Sequence, residues 1–434
     1  MISINQNDKK KNEIQYKRKE IINPYYFSNQ ELYEIFKKSL PPPEAYYYFP
    51  KGEEIIIFND KKPEKSLRRI FVGVPFNDIE KKWINEFKEE ISSHSEIILP
   101  EYWNDAINLR FVYATECNIK KSYERMVKYI EWHQNMFPMT IQPGDKLYKL
   151  LNLGFLYIYG RDHQFRPIII CQPHIVQKNI KLYTSEEVIK ASAFLFQYIV
   201  NNMLIPGQIE NWVMILNFEG SSPLNMPDAV KKLIKTVSEN FLSRLYKCYV
   251  YGMSFFINFM FKLACNFLEE VTVQKITILD KNNKEQLFEN IREDNIEEKF
   301  GGTAPNVQGS IEINNNLFPP RMPSNKYILE KDNKKDFLIT KEEYIKLVNE
   351  EKIREDCISP YLKDEIEKIK KEKELEKKIK NHFGNKQWKF QSEFEGKNSI
   401  KNINKSNNII LDLKSFNNAK YSFHKSINIL NGNK

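Results

Sequence analysis

Residues 212–220 read WVMILNFEG, a run of large apolar residues that ends in a turn at glycine. A short apolar run of this kind, bounded by turn residues, is typical of a strand buried on both faces. Three similar runs occupy residues 166–171, 248–253 and 275–280. Helical spacing separates them at residues 185–203 and 228–240. Buried strands that alternate with helices predict an α/β domain with a mainly parallel sheet.

The composition indicates a globular protein with a mild basic bias. Of its 434 residues 41% are apolar, and 66 Lys and Arg against 57 Asp and Glu give a formal net charge of +9. This excess suits an anionic membrane surface better than sequence-specific nucleic-acid binding. The five cysteines are odd in number and scattered, which favours a reducing compartment. We therefore expect a cytoplasmic protein that contacts membranes transiently and binds no nucleic acid.

Neither a signal peptide nor a membrane span is expected from the hydropathy pattern. The start, MISINQNDKKKNE, has no apolar core, and no uninterrupted apolar stretch reaches the roughly 18 to 20 residues that a spanning helix needs. The nearest candidate, residues 249–268, carries Asn258, Lys262 and Asn266 at helical spacing. These residues form one polar stripe on an otherwise apolar helix, which predicts a helix covered by a partner surface.

Several ordered sequence blocks identify a family. The segment LRFVYATECNIKKSYERMVKYIEWH, residues 109–133, resembles the N-terminal helical signature of CRAL-TRIO (Sec14-like) lipid-binding proteins. The resemblance continues in FRPIII, WVMILNFEG, VTVQKITILD and IEEKFGGTAPN, which begin at residues 165, 212, 271 and 296. The resemblance is specific because the blocks keep the family's order.

The resemblance implies a sheet that floors an apolar pocket, roofed by a mobile gate helix. The apolar residues of that helix would be Phe255, Phe256, Phe259, Met260, Leu263 and Phe267. An unusually apolar helix with one polar stripe needs either a protein core or a lipid beneath it. On the pattern alone, ordinary core packing remains the alternative.

The resemblance also implies residues that contact the lipid. Arg244, Thr272 and Lys275 match the family's phosphatidylinositol headgroup site, where charge-assisted contacts to a phosphate are strong. The simpler interpretation of Lys275 is a solvated lysine at the start of a strand. For Arg244 it is a surface salt bridge. Two features depart from the family pattern. Ser243 replaces an acidic residue, and Tyr113 and Thr115 stand where basic residues are usual.

The expected pocket wall departs from members that carry phosphatidylcholine. Where those members place tyrosine and small hydroxyl residues, this chain has Ile158, Ile169, Trp212 and Met214, and Leu216 completes the wall. None of these side chains supplies a hydroxyl donor, and buried polar groups without partners are costly. Choline-lipid binding in the family's geometry is therefore not expected, and phosphatidylinositol is the favoured cargo because Arg244, Thr272 and Lys275 remain.

The chain is expected to fall into five parts: a disordered lead (1–24), an N-terminal extension (25–100) with a short buried strand at 55–58, the N-terminal helices (101–140), the lipid-binding domain (141–310) and a polar tail (311–434). The charged run LKDEIEKIKKEKELEKKIK begins at Leu362, and its apolar stripe slips after Ile369. It predicts a solvated single helix rather than a coiled coil. The tail is therefore expected to be dispensable for lipid binding.

No catalytic motif is present, because the sequence lacks G-x-S-x-G, G-x-x-x-x-G-K-[ST], H-E-x-x-H and G-x-G-x-x-G. Cys171 and His174 form an isolated pair, so neither a metal nor a cofactor is expected. The leading hypothesis is a non-enzymatic carrier that holds one lipid and exchanges it at membranes. The alternatives are a carrier of a less polar ligand, such as a sterol, isoprenoid or fatty acid, and a lipid-sensing scaffold or regulatory protein.

Overall fold

The computed structural model describes residues 30–94, 97–179, 181–222, 228–253, 270–280, 283–307, 317–320, 322–327, 337–375 and 377–378. These residues belong to two compact units that divide after Lys363. The apolar residues predicted for the gate helix lie outside the described part of the chain: Phe255, Phe256, Phe259, Met260, Leu263 and Phe267.

Helices and strands alternate through the middle of the first unit. The strands are β1 (Ile56–Ile57), β2 (Leu67–Arg68), β3 (Leu156–Arg161), β4 (Pro167–Cys171), β5 (Trp212–Asn217), β6 (Leu245–Tyr251) and β7 (Ile276–Ile278). The α-helices are α1 (Gln30–Ser39), α2 (Asp78–Ser92), α3 (Asp105–Tyr113), α4 (Ile119–Met136), α5 (Lys146–Asn152), α6 (Pro173–Lys178), α7 (Ser185–Asn202), α8 (Asp228–Asn240), α9 (Glu270–Val273) and α10 (Lys341–Asn349). A further helix covers residues 363–375.

Five strands form the central sheet in the order β3-β4-β5-β6-β7. β3 pairs antiparallel with β4, and every later pair is parallel. The expected α/β domain with a mainly parallel sheet is therefore confirmed. All residues of β3 and β4 are buried, as expected for strands covered on both faces.

One face of the sheet packs against the end of the domain. Ile170 and Ile215 form a core there with Ile291 and Phe300. A close turn holds this segment, because Gly301 has a φ of +92° and a Cβ on Gly302 would lie 2.1 Å from the Ile296 carbonyl oxygen. The glycine pair therefore acts as a tight structural turn. The opposite face of the sheet lines a cavity.

The N-terminal helices pack as a separate small core, in which Phe87 of α2 meets Phe111 of α3 and Met126 of α4. Asn104 and Asn118 start α3 and α4, and each accepts a backbone N–H with its side chain. α3 and α4 thus lie within residues 101–140, where the N-terminal helices were predicted.

The N-terminal extension packs on the domain through buried polar contacts. Arg166 bonds Asp162 at 3.0 Å and reaches Glu54 of the extension at 2.9 Å. Arg161 donates to the Ser39 carbonyl oxygen at 2.9 Å. The strand predicted at residues 55–58 is present as β1, but its predicted burial is wrong because Ile57 is 40% exposed. β1 pairs only with the two-residue β2, and such a ribbon covers little surface.

Part of the expected polar tail packs on the extension. The Phe49 N–H donates to the Phe337 carbonyl oxygen at 2.8 Å, and Ile339 N–H donates to the Tyr47 carbonyl oxygen at 3.0 Å. Tyr344 of α10 is fully buried against Tyr47. Residues 337–362 therefore belong to the first unit, although their composition is polar. Within the described residues, no helix has both the length and the apolar character needed to cross a membrane.

Candidate functional site

A cavity of about 1130 Å³ lies against the other face of the sheet. Alternate residues of each strand point to this face, since successive side chains of a strand alternate. The floor is apolar and consists of Leu156, Cys171, Trp212, Met214, Leu216, Cys248 and Ile276. Burial raises the pKa of the Cys171 thiol to about 12, so this group stays neutral. The floor can hold hydrocarbon but offers no charge.

Helices form the walls around this floor. Phe196 of α7 and Leu233 of α8 line one side, and Trp132 of α4 lines another. Arg125 of α4 also lines the cavity and donates to the Ser238 carbonyl oxygen of α8 at 2.7 Å. The wall therefore joins the N-terminal helices to the sheet domain.

The first cluster at the polar end of the cavity contains two arginines. Arg110 of α3 is buried and pairs with the buried carboxylate of Glu210, and it donates to the Leu242 carbonyl oxygen at 3.0 Å. Arg244, which lines the cavity, donates to the Glu210 carbonyl oxygen at 3.0 Å. The two guanidinium groups therefore lie on either side of one acidic residue.

A second cluster comes from the extension. Arg68 of β2 and Tyr113 of α3 line the cavity, and both donate to Glu80 of α2 at 2.7 Å. Glu80 is fully buried and also accepts the Asn77 backbone N–H, which starts α2. Within the described residues, the Arg68 Nε finds no hydrogen-bond partner. This cluster fixes the extension against the mouth of the cavity.

Three arginines come close together in the two clusters. Arg68 pairs with the Glu80 carboxylate, Arg110 pairs with the Glu210 carboxylate, and Arg244 bonds the Glu210 backbone carbonyl oxygen. Burial lowers the pKa of Arg110, and repulsion from Arg244 and then from Arg68 lowers it further. An anion between like charges relieves such repulsion. This end of the cavity is therefore suited to an anionic group.

The structure brings the predicted headgroup residues to one cavity. Arg244, Thr272 and Lys275 all belong to its lining. Lys275 lies between α9 and β7, where its N–H donates to the Thr272 carbonyl oxygen at 3.1 Å. All three side chains are half-buried. Their contact with a headgroup stays a prediction.

The predicted wall residues divide into two groups. Trp212, Met214 and Leu216 of β5 line the cavity. Ile158 and Ile169 are paired neighbours on β3 and β4 and are fully buried, but they are not among the residues that line it. The cavity thus follows β5 towards β7 and does not extend along the whole of β3.

Sequence reasoning missed the contribution of the extension to this site. Glu64, Ser66, Leu67 and Arg68 line the cavity, although they precede the domain. No periodic pattern marks them, because their position depends on pairing with distant residues. Within the described residues, no group of His, Cys, Asp and Glu is arranged to hold a metal ion.

Comparisons with known proteins agree with this architecture. Residues 151–302 match the CRAL/TRIO domain. A CRAL-TRIO domain-containing protein of Saccharomyces cerevisiae is 26% identical over 47% of this chain and 72% of its own length. The Sec14 cytosolic factor of Schizosaccharomyces pombe is 24% identical over 47% and 76%, respectively.

Two further similarities are more distant. The phosphatidylinositol/phosphatidylcholine transfer protein SFH4 of Arabidopsis thaliana is 23% identical over 54% of this chain and 41% of its own length. The crystal structure of Sfh5 matches with a TM-score of 0.40 and 12% identity, over 64% of this chain and 99% of that one. The domain match and the curated relatives confirm the resemblance indicated by the sequence blocks. The chain carries a CRAL/TRIO domain at residues 151–302 and is similar to Sec14-like proteins.

Proposed function

We propose that this protein binds one glycerophospholipid, with phosphatidylinositol favoured, and exchanges it at membrane surfaces. The observation that carries the proposal is the cavity itself, which joins an apolar floor to a lining that includes the cationic residues Arg68, Arg244 and Lys275. An amphiphile with an anionic head and hydrocarbon chains has the same division. The Arabidopsis relative is named as a transfer protein for phosphatidylinositol and phosphatidylcholine, which favours this class of cargo.

The polar end supports an anionic headgroup. Arg244 and Lys275, which directly precede β6 and β7, bring two cationic side chains to the cavity, and Thr272 adds a hydroxyl. Charge-assisted hydrogen bonds to phosphate are about twice as strong as neutral ones. A phosphodiester at this place would accept hydrogen bonds from both cations.

The apolar floor supports retention of acyl chains. Burying a chain against side chains such as Met214 and Leu216 removes methylenes from water, and each methylene contributes about 0.8 kcal/mol. Chains of ordinary length would therefore hold the lipid in the protein away from a membrane. Exchange then requires the cavity to open at the bilayer, and basic residues near its mouth would attract anionic lipids.

Direct identification of the cargo tests this proposal. The protein is purified without detergent, its bound lipid is extracted, and the extract is analysed by mass spectrometry. We expect one glycerophospholipid per chain, with phosphatidylinositol the most enriched species relative to the host membrane. Recovery of no lipid, together with failure to load lipid from vesicles, would contradict the proposal.

A carrier of a less polar ligand is the second candidate. The residues that favour it are Trp212, Met214 and Leu216, because none of them offers a hydroxyl or a charge to a ligand on the floor. A sterol, an isoprenoid or a fatty acid would fill such a floor. The cationic lining residues would then serve membrane attachment alone. Enrichment of a sterol or isoprenoid in the same extract would favour this candidate.

Removal of residues 364–434 is expected to leave cargo occupancy unchanged. The lining residues of the cavity all precede Lys363, where the first unit ends. Cutting there also keeps Leu362, which is buried. The molar ratio of extracted phospholipid to protein should agree with that of the full chain. A truncated protein that folds but has lost its lipid would show that the deleted part contributes to the site.

A further inference from the structure

Trp212, a residue of the cavity floor, carries a buried indole N–H. This residue begins β5, is 1% exposed and lines the cavity. Its ring packs against two other lining rings, with centroid distances of 5.1 Å to Phe196 and 6.1 Å to Phe241. Within the described part of the chain, no acceptor bonds the indole Nε1.

An unpaired buried N–H is unusual, since leaving a donor without a partner costs free energy. Trp103 shows the ordinary arrangement in the same protein, because its Nε1 donates to Asn108 Oδ1 at 2.7 Å. The floor beside Trp212 is made of Met214 and Cys248, whose sulfur atoms are only weak acceptors. A ligand with one oxygen acceptor at this point would satisfy the indole N–H.

The position of Trp212 indicates which oxygen that would be. The Trp212 backbone N–H donates to the Arg244 carbonyl oxygen at 2.8 Å, so this tryptophan stands at the end of the floor next to the basic mouth. In a glycerophospholipid the ester carbonyls lie between the phosphate and the hydrocarbon. They therefore occupy the same boundary as Trp212 when the phosphate is held at Arg244.

We infer that the Trp212 Nε1 donates a hydrogen bond to an acyl ester carbonyl of the bound lipid, so that the protein selects ester-linked over ether-linked glycerolipids. The inference rests on the proposed function. An ether lipid of equal chain length has the same head and hydrocarbon but no carbonyl oxygen. Trp212 would then discriminate by linkage, whereas Arg244 and Lys275 act on the headgroup.

A competition experiment tests the inference on the full chain. The protein is incubated with vesicles that contain equimolar diacyl and dialkyl forms of phosphatidylinositol and of phosphatidylcholine, all with matched chains. Bound lipids are extracted after reisolation and are quantified by mass spectrometry. We expect an ester-to-ether ratio of about three to ten, the size of the effect of one neutral hydrogen bond.

Trp212→Phe removes the N–H and keeps an aromatic ring, so its ester-to-ether ratio should fall to about one, the value without that hydrogen bond. The ratio is measured on loaded protein only, so partial unfolding of the variant does not alter it. Trp103→Phe is the matched control, because it removes a buried indole N–H outside the cavity lining. Its ratio should equal that of the unmodified protein.

The linkage and headgroup results distinguish failure of this inference from failure of the proposed function. Equal binding of ester and ether lipids by the unmodified protein, or an unchanged ratio in Trp212→Phe, would overturn the inference while glycerophospholipid binding stands. A clear ester preference without phosphatidylinositol preference would support the inference and reject the favoured headgroup. If none of the four lipids loads, the inference and the proposed function both fail.

Discussion

Replacing Glu80 with alanine should lower the free energy of unfolding by about 3–5 kcal/mol, the usual effect of removing one partner of a buried ion pair. Glu80 is fully buried, and Arg68 is 4% exposed. The substitution leaves the Arg68 cation without its carboxylate and removes the acceptor of the Tyr113 hydroxyl. It also removes the acceptor of the Asn77 backbone N–H at the start of α2.

Urea unfolding followed by tryptophan fluorescence measures this loss. Glu80→Gln keeps the shape and can still accept a hydrogen bond, so its loss should be smaller. The control is Glu34→Ala, because the Glu34–Lys37 pair is about half exposed and such pairs contribute about 0–1 kcal/mol. If Glu80→Ala changed stability no more than Glu34→Ala, the cluster would not hold the extension in place.

The strands that the sequence predicted are those with continuous apolar runs. β4 is fully buried and β5 is buried except for Met214, so sequences such as PIIIC and WVMILN stand out. β3 reads LYIYGR and ends in glycine and arginine, which weakens the same signal. Gly160 within it is required by a distant contact, because a Cβ there would lie 2.9 Å from the Asn295 carbonyl oxygen. Such a contact leaves no local pattern.

The cavity lining could be predicted only in part. Trp212, Met214 and Leu216 alternate along β5, so a period of two places them on one face of the sheet. Ile158 and Ile169 lie on the same face of the sheet as the lining residues, but they are fully buried. Which part of a face stays open depends on the helices that pack over it. Strand periodicity does not contain that information.

Arg68 shows a second limit of prediction from sequence. A lone arginine in an irregular, charged segment gives no sign of burial, and most arginines are exposed. Its burial depends on Glu80, which comes from the next helix, and on Tyr113, which comes from the helix after that. The site thus contains residues from the extension that a family signature within residues 109–306 does not cover.

Lys275→Ala should reduce phosphatidylinositol transfer at least about tenfold, because a charge-assisted contact to the headgroup contributes about 1.5–3 kcal/mol. The backbone at this position is fixed independently of the side chain. The Lys275 N–H donates to the Thr272 carbonyl oxygen, and the Lys275 carbonyl oxygen accepts from Cys248 at 2.8 Å. The substitution therefore removes the ammonium group and leaves the start of β7 in place.

Loss of a positive charge also weakens attraction to anionic membranes, by about 1 kcal/mol for each basic residue near the surface. Lys247→Ala controls for this effect, since Lys247 lies on the neighbouring strand β6 and is not part of the cavity lining. Transfer of radiolabelled phosphatidylinositol between vesicles should change much less in this variant. An equal loss in both variants would attribute the effect to membrane attraction and not to the headgroup.

Met214→Ser completes the comparison, because it places a hydroxyl on the apolar floor. If cholesterol is a cargo, its transfer should fall more in Met214→Ser than that of phosphatidylinositol, and it should be almost unchanged in Lys275→Ala. Phosphatidylinositol should show the opposite order, since its affinity depends on the charged mouth. The two variants therefore separate an anionic phospholipid from an uncharged ligand. If neither lipid responded to either substitution, the binding site would have to lie outside this cavity.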